Sequence, residues 1–494
     1  MISRKLLTAR AYEENAEQLI LEEERPAFHL SPRTGWMNDP NGFSRYGGLY
    51  HMFYQYYPYE ARWGLMHWGH AVSEDLLHWT YLPVALAADS EFDKDGCFSG
   101  SAATLPDGRQ LLMYTGVVLE IQSDGSTKEI QQQCLAVGDG TEYVKYEGNP
   151  VLTERDLPEG SDRFDFRDPK IWKRPDGTWR CIVGNRHQKD SSRILMFESE
   201  DGFHWKWKKV LADNRFRFGR MWECPDFFEL DGKWVLLTSP QDMLPQGFEY
   251  HNGNGTLCLI GSFDEETETF VEESNQAVDY GIDFYAMQTL LTEDGRRVMI
   301  GWMQNWDTCT PNTAQRKWFG QMSLPRELSI KNGRLCQAPI RELQTLRKNE
   351  VRHEDVRVSG RVELDGVSGR KAELILELQV QDPEVFRKFT VCFAENEHFH
   401  TNLSYRPHEG TLKIDRKFSG SRRAVIHQRR TKVYPENGIL KLHLILDRFS
   451  AEVFVNDGQQ TMTCTLYTDL SAEGISFSCD GGEARISVTK WELS

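Results

Sequence analysis

The chain is short of positive charge, of closely spaced cysteines, of long apolar runs and of sustained helical periodicity. Lys and Arg number 58 against 74 Asp and Glu, a formal charge of −16. A surface of that sign repels phosphate backbones and anionic lipid, which argues against nucleic acid or a membrane as a partner. The ten cysteines stand at positions 97, 134, 181, 224, 258, 309, 336, 392, 464 and 479. None has a C-x-x-C or zinc-ligand spacing and nothing suggests a disulfide framework, so no metal and no cofactor is expected. No stretch of about 18 apolar residues is available to span a bilayer. Residues 1–25 lack the unbroken apolar core of a secretory signal, because charge interrupts them at Arg4, Lys5, Arg10, Glu13 and Glu14. The expected location is the cytoplasm.

What is present is a 494-residue chain with 39% hydrophobic residues, enough for more than one core. Aromatics make up 12%, with 14 Trp, which suits dense cores and ring-lined binding sites alike. In a first segment, residues 1–27, Tyr12, Ala16, Leu19 and Ile20 follow helical spacing and the pattern stops before Pro26. Beyond Phe28, short apolar runs alternate with turn dipeptides: Asp107-Gly108, Asp139-Gly140, Asp176-Gly177, Asp201-Gly202, Asp231-Gly232 and Asp294-Gly295. Asp-Gly suits type I′ hairpin turns, which need positive φ at both central residues. The chain reads as all-β.

One motif repeats. Ser73-Glu74-Asp75-Leu76-Leu77-His78-Trp79 is nearly restated as Ser199-Glu200-Asp201-Gly202-Phe203-His204-Trp205. With Asp139 and Asp264 in related contexts, the turn aspartates fall 64, 62 and 63 residues apart. That period fits a four-stranded unit plus an insertion, and residues 28–340 hold roughly five such units, the pattern of a small propeller. Common Asp-Gly turns would produce some of the same spacing. Residues 341–355 are polar and charged and read as a linker helix. Residues 356–494 carry strand-length runs at 371–380 and 442–455 and a turn at Asn456-Asp457-Gly458, a second all-β module. The basic cluster Arg422, Arg423, Arg429 and Arg430 reads as a solvated strand face or an anion grip.

Three carboxylates stand in unusual company. In Gly35-Trp36-Met37-Asn38-Asp39-Pro40-Asn41-Gly42 the proline keeps Asp39 out of helical geometry; an Asx turn at a strand end would use the same residues. In Phe166-Arg167-Asp168-Pro169 an adjacent guanidinium would favour a charged Asp168, or simply form a structural ion pair. In Met221-Trp222-Glu223-Cys224-Pro225-Asp226 the apolar surroundings would raise the pKa of Glu223, as a general acid requires. One ionised and one protonated carboxyl is the arrangement of a glycosidase.

In order and spacing these motifs resemble glycoside hydrolase family 32, the β-fructofuranosidases: invertases, sucrose-6-phosphate hydrolases and fructan exohydrolases. The likeness extends to Phe98-Ser99-Gly100-Ser101-Ala102, Asp283-Phe284-Tyr285-Ala286, Gly301-Trp302-Met303 and Glu452-Val453-Phe454-Val455-Asn456-Asp457-Gly458. The resemblance implies a five-bladed β-propeller followed by a C-terminal β-sandwich. It also implies Asp39 as nucleophile, Glu223 as acid/base and Asp168 as transition-state stabiliser held by Arg167. Asn38, Gln55, Trp63, Ser99 and Arg167 would line the fructosyl subsite, Phe98 and Trp36 would wall it, and Tyr285 and Trp302 would also bind substrate. The implied substrates are sucrose, sucrose 6-phosphate or short fructo-oligosaccharides, split with retention and without a cofactor. Arg186, His187 and Arg316 are candidate phosphate contacts or solvated surface residues, and Trp302-Met303-Gln304-Asn305-Trp306 resembles what fructan-acting relatives carry. A fructosyltransferase or a non-catalytic sugar-binding propeller would share these features, and the sequence leaves self-association as a homo-oligomer open.

Overall fold

A computed structural model describes residues 2–187, 190–309, 316–420 and 426–494. The first two-thirds of the chain forms five antiparallel sheets in sequence order, whose leading strands are Gly35–Tyr46, Gly96–Thr104, Ser161–Lys173, Met221–Leu230 and Tyr285–Leu291. Each leading strand packs against the next, and the fifth against the first, so the sheets close into a ring, a β-propeller. The short strand Trp318–Phe319, which follows the second strand of the fifth sheet, returns to pair in parallel with Gly35 and Trp36 of the first. It ties the ring's end to its beginning and removes an exposed edge.

The sequence period has a structural counterpart. Asp75, Asp139, Asp201 and Asp264 all stand at the turn between the third and fourth strands of their sheets. Each carboxylate accepts backbone N–H groups two and three residues ahead. In the repeated motif Ser73 and Ser199 donate to Asp75 and Asp201, and His78 and His204 complete the same knot. Such local side chain to backbone bonds recur wherever the same few neighbours recur. Both φ are positive at Asp231-Gly232, as the I′ expectation requires, and also at Asp457-Gly458 of the later turn; at Asp107-Gly108, Asp139-Gly140, Asp176-Gly177, Asp201-Gly202 and Asp294-Gly295 only the glycine is left-handed.

Two six-stranded antiparallel sheets form the C-terminal β-sandwich. The boundary differs from the linker expected at 341–355. A 3₁₀ helix, Arg341–Leu346, is followed at once by the strand Arg347–Val358, whose charged residues face water while it pairs with the strand Glu483–Leu493. An edge strand with one solvated face is as polar as a linker, which is why composition misplaced it.

The N-terminal helix, Arg4–Glu17, is capped by Ser3, which accepts from the Leu6 N–H. Its packed face is Leu6, Ala9 and Glu13, whereas Tyr12 and Leu19 are exposed. Of the expected apolar stripe, Ala16 and Ile20 are only half-buried, and Leu19 and Ile20 lie beyond the helix end. Glu13 is buried because it accepts the Val84 N–H and meets Arg33, a long-range pairing invisible to periodicity. Of the basic cluster, Arg422 and Arg423 lie outside the described residues. Arg429 and Arg430 sit on the strand Gln428–Lys432.

Charge stitches the two domains together. Arg326 of the propeller, with no exposed surface, donates to Asp279 at 3.0 Å and to Glu452 of the sandwich at 2.6 Å. Glu452 also meets His29 Nε2 at 2.9 Å, and His29 Nδ1 meets Asp447 at 2.7 Å.

Candidate active site

The five leading strands share one irregularity. Each has a point at which it carries one extra residue opposite its partner, at Asn38–Asp39, Ser99, Asp168–Pro169, Cys224–Pro225 and Ala286–Met287; the first and third strands are interrupted again further along. A β-bulge bends a strand and re-aims a side chain. Four of the bulges meet directly: the Ser99 hydroxyl and the Cys224 thiol reach Asp39, and the Cys224 N–H reaches Asp168. Asp168, Cys224 and Ala286 adopt left-handed φ of 69°, 49° and 55°, a conformation costly for non-glycine residues and concentrated at functional sites. Prolines follow three of the bulge residues, in Asp39-Pro40, Asp168-Pro169 and Cys224-Pro225, because a bulge position is not asked to donate to the ladder. Gly100, beside the Ser99 bulge, has no room for a side chain, since a Cβ would lie 2.0 Å from the Met113 carbonyl oxygen.

The bulges bring three acids to a cavity of about 500 Å³ lined by Asn38, Asp39, Gln55, Trp63, Phe98, Ser99, Arg167, Asp168 and Glu223. Asp39 Oδ2 accepts from Ser99 Oγ at 2.6 Å and from the Cys224 thiol at 3.5 Å, and Oδ1 accepts from Asn38 Nδ2 at 2.9 Å. Trp36 Nε1 in turn donates to Asn38 Oδ1 at 2.7 Å, fixing the amide's orientation. Asp168 Oδ2 accepts the Cys224 N–H at 2.9 Å, and its own N–H donates to Thr115 Oγ1 at 3.0 Å. One thiol thus lies within reach of both aspartates.

Glu223 is gripped at both oxygens. Arg167 Nε and Nη2 donate to Oε1 at 3.0 and 2.9 Å, and the Tyr285 hydroxyl stands 2.6 Å from Oε2. The same hydroxyl lies 2.9 Å from the Ser239 carbonyl oxygen, which can only accept. With a single proton to give, Tyr285 either donates to the Glu223 carboxylate or donates to Ser239 and accepts from protonated Glu223.

Burial raises the pKa of all three acids. Asp168 is pushed up to about 7, first by burial and then by the charges of Glu223 and Asp39 against the opposing pull of Arg167. Glu223 is raised by burial and by Asp39, with Arg167 and Tyr285 pulling the other way. Asp39 is raised by burial, offset in part by the bonds from Ser99, Asn38 and Cys224. Three carboxyls this close cannot all ionise without strong mutual cost.

The expected arrangement needs several corrections. Arg167 makes its hydrogen bonds to Glu223, Asp165 and Gln131; on Asp168 it acts through charge alone. Trp36, Tyr285 and Trp302 are fully or almost fully buried behind the cavity wall rather than lining it. The wall residue is Trp306, stacked on Trp36 at 6.4 Å and tilted against Trp302 at 5.1 Å. Trp63, 44% exposed, meets Phe98 edge-on at the mouth, and Gln55 donates to the Cys97 carbonyl. Thr127, Lys128, Glu129, Gln131, Phe164, Asp165 and Gln241 complete the lining and were not foreseen. Lys128 and Glu129 open the strand Thr127–Gly138, which pairs with Gln110–Ile121; the length of this hairpin was their only sequence signal. Arg186, His187 and Arg316 do not line the cavity. Arg186 pairs with Asp165, His187 hydrogen-bonds with the Gly160 carbonyl, and Arg316 packs on Trp318, Phe449 and Tyr467. Among the described residues no group of three or more His, Cys, Asp or Glu forms a metal-ligand cluster.

Two family models match the chain: Glycosyl hydrolases family 32 N-terminal domain over residues 29–339, and Glycosyl hydrolases family 32 C terminal over residues 342–492. A raffinose invertase of Escherichia coli is 36% identical over 95% of both chains. A sucrose-6-phosphate hydrolase of Zymomonas mobilis is 35% identical over 98% of this chain and 95% of its own. A mutant GH32 beta-fructofuranosidase of Bombyx mori, solved in complex with sucrose, superposes with a TM-score of 0.84 at 34% identity, covering 100% of this chain and 99% of its own.

Proposed function

The chain belongs to glycosyl hydrolase family 32, and from that premise we propose that it is a retaining β-fructofuranosidase in which Asp39 is the nucleophile, Glu223 the acid/base and Asp168 the stabiliser of the transition state. Its substrate is a terminal non-reducing β-D-fructofuranoside of the kind found in sucrose, sucrose 6-phosphate and short fructo-oligosaccharides. The relatives named as invertase and sucrose-6-phosphate hydrolase support that class.

The observation that carries the assignment is the unequal treatment of the acids. Burial raises Asp39 as it raises Glu223, but Asp39 accepts three hydrogen bonds, from Ser99, Asn38 and Cys224, which aim it and pull it back toward its anion. Glu223 is buried, raised in pKa and faces a tyrosine able to accept its proton's hydrogen bond. A fixed anion and a proton carrier in one cleft are what double displacement requires.

In the first step Asp39 attacks carbon 2 of the fructosyl unit, the glycosidic bond breaks, and Glu223 gives its proton to the leaving oxygen. The product is a fructosyl ester on Asp39. In the second step Glu223 takes a proton from water, the oxygen adds to carbon 2, and Asp39 leaves as carboxylate. Asp168 forms no bond to carbon 2. Anchored by the Cys224 N–H, it supports the positive charge that develops on the sugar ring.

The test is fructose release from sucrose by Asp39→Ala and Glu223→Ala. Each should lose at least about three orders of magnitude in kcat while keeping the wild-type Tm. Near-normal turnover in either variant overturns the assignment.

A further inference from the structure

Among the described residues, none of the sandwich lines the catalytic cavity, whose lining runs in sequence from Asn38 to Trp306 of the propeller. Yet the segment that carries Trp306 is tied to the sandwich through a buried polar chain. Arg416 leaves the sandwich strand Thr411–Phe418 and donates to Asp283 Oδ2 at the propeller's edge. The same guanidinium donates to the Thr465 carbonyl at 3.0 Å and hydroxyl at 2.8 Å, and Thr465 N–H donates to Asp283 at 2.8 Å. The other Asp283 oxygen accepts from Thr308 Oγ1 at 2.7 Å. Gln304 reaches Thr465 Oγ1 at 3.2 Å and the Tyr467 hydroxyl at 2.7 Å. Trp306 thus sits between two residues, Gln304 and Thr308, whose polar atoms lead into the sandwich.

The chain is out of water along its whole length. Asp283, Gln304, Thr308, Arg416 and Thr465 are all buried. A buried carboxylate takes its geometry from its cation, and removing that cation leaves a charge that must rearrange or protonate. Asp283 would then release Thr308, and the turn at 305–308, closed by the Thr308 N–H to the Asn305 carbonyl, would lose its outer support. Trp306 stacks at 18° on Trp36, so displacement of the segment alters the cavity wall while the Ser99 and Cys224 bonds to Asp39 stay in place.

Resting on the fructosidase reading above, we propose that Arg416 is a positioning residue: acting through Asp283 and Thr308, it holds Trp306 in the cavity wall and so makes the sandwich part of substrate binding. Arg416→Met should raise KM for sucrose about five- to tenfold while kcat stays within about twofold. Thr308→Val cuts the chain inside the propeller and leaves the Arg416 to Asp283 pair intact; it should raise KM in the same way. Trp306→Ala should raise KM, and adding Arg416→Met to it should raise KM no further, because the two act through one wall. An unchanged KM in Thr308→Val, or full additivity in the double variant, overturns the proposal, even should Arg416→Met fail to fold. No fructose release by the wild-type chain instead defeats the activity itself. Arg416→Lys keeps the charge without the fork, and its KM should fall between wild type and Arg416→Met.

Discussion

Arg167 directs two of its N–H groups, from Nε and Nη2, at a single oxygen of Glu223, at 3.0 and 2.9 Å. Its neighbour in sequence, Asp168, receives no hydrogen bond from it. The guanidinium therefore opposes the effect of burial on the proposed acid and, by occupying Oε1, leaves Oε2 beside Tyr285 as the place for its proton.

Arg167 lowers the pKa of Glu223 against the rise due to burial. Arg167→Gln should thus move the basic limb of the kcat/KM profile upward, because the protonated acid persists to higher pH. Loss of orientation should also cost about two orders of magnitude in kcat. A pH–rate profile of the variant reads both; a basic limb that stays or moves down contradicts the pairing.

Tyr285→Phe removes a donor to the Glu223 carboxylate and should shift the same limb upward by less than Arg167→Gln does. Its effect on KM should be small, since Tyr285 stands behind the wall. Steady-state kinetics at several pH values separate this role from direct contact with substrate, which would raise KM.

Five acidic side chains line the cavity, Asp39, Glu129, Asp165, Asp168 and Glu223, of which Glu223 holds a proton in the proposed resting enzyme; against them stand the cations Lys128 and Arg167, and Arg167 is already engaged. A phosphate dianion enters against that field. The kcat/KM for sucrose should exceed that for sucrose 6-phosphate by at least about tenfold at low ionic strength, and added salt should narrow the gap. Lys128→Ala should lower the rate with the phosphorylated sugar more than with sucrose. A preference for sucrose 6-phosphate by the wild type would refute the charge argument.

His29 lies between Asp447 and Glu452, and their hydrogen bonds and charges outweigh burial, raising its pKa to about 9. A pKa raised in the folded state stabilises while the unfolded group is still protonated. The contribution is complete below the ordinary histidine pKa and is lost as pH rises through about 9, an amount on the order of 3 kcal/mol. Tm should therefore fall between about pH 7 and pH 9.5. His29→Gln should be less stable at neutrality and should lose most of that slope, which calorimetry across the range would reveal.

Much of the β architecture was legible because its signals are local. Each turn aspartate at 75, 139, 201 and 264 is satisfied by N–H groups two or three residues ahead, so the same short string makes the same turn. The three carboxylate motifs were legible too, since proline after Asp39, Asp168 and Cys224 marks positions withdrawn from the ladder. The helix face at Glu13 and the strand at 347–358 were misread because their partners, Val84 and the strand Glu483–Leu493, are far away in sequence.

By itself the sequence determined that the chain is all-β, where its repeated turns fall and which three acids are out of the ordinary, since each depends on neighbours a few residues apart. Only the tertiary structure decided that Arg167 grips Glu223 instead of Asp168, that Trp306 and not Trp302 faces the cavity, and that a sandwich arginine reaches the propeller's edge. Those pairings join residues from 56 to 133 positions apart. They follow from how five bulged strands meet around one axis, and no short window of sequence contains that meeting.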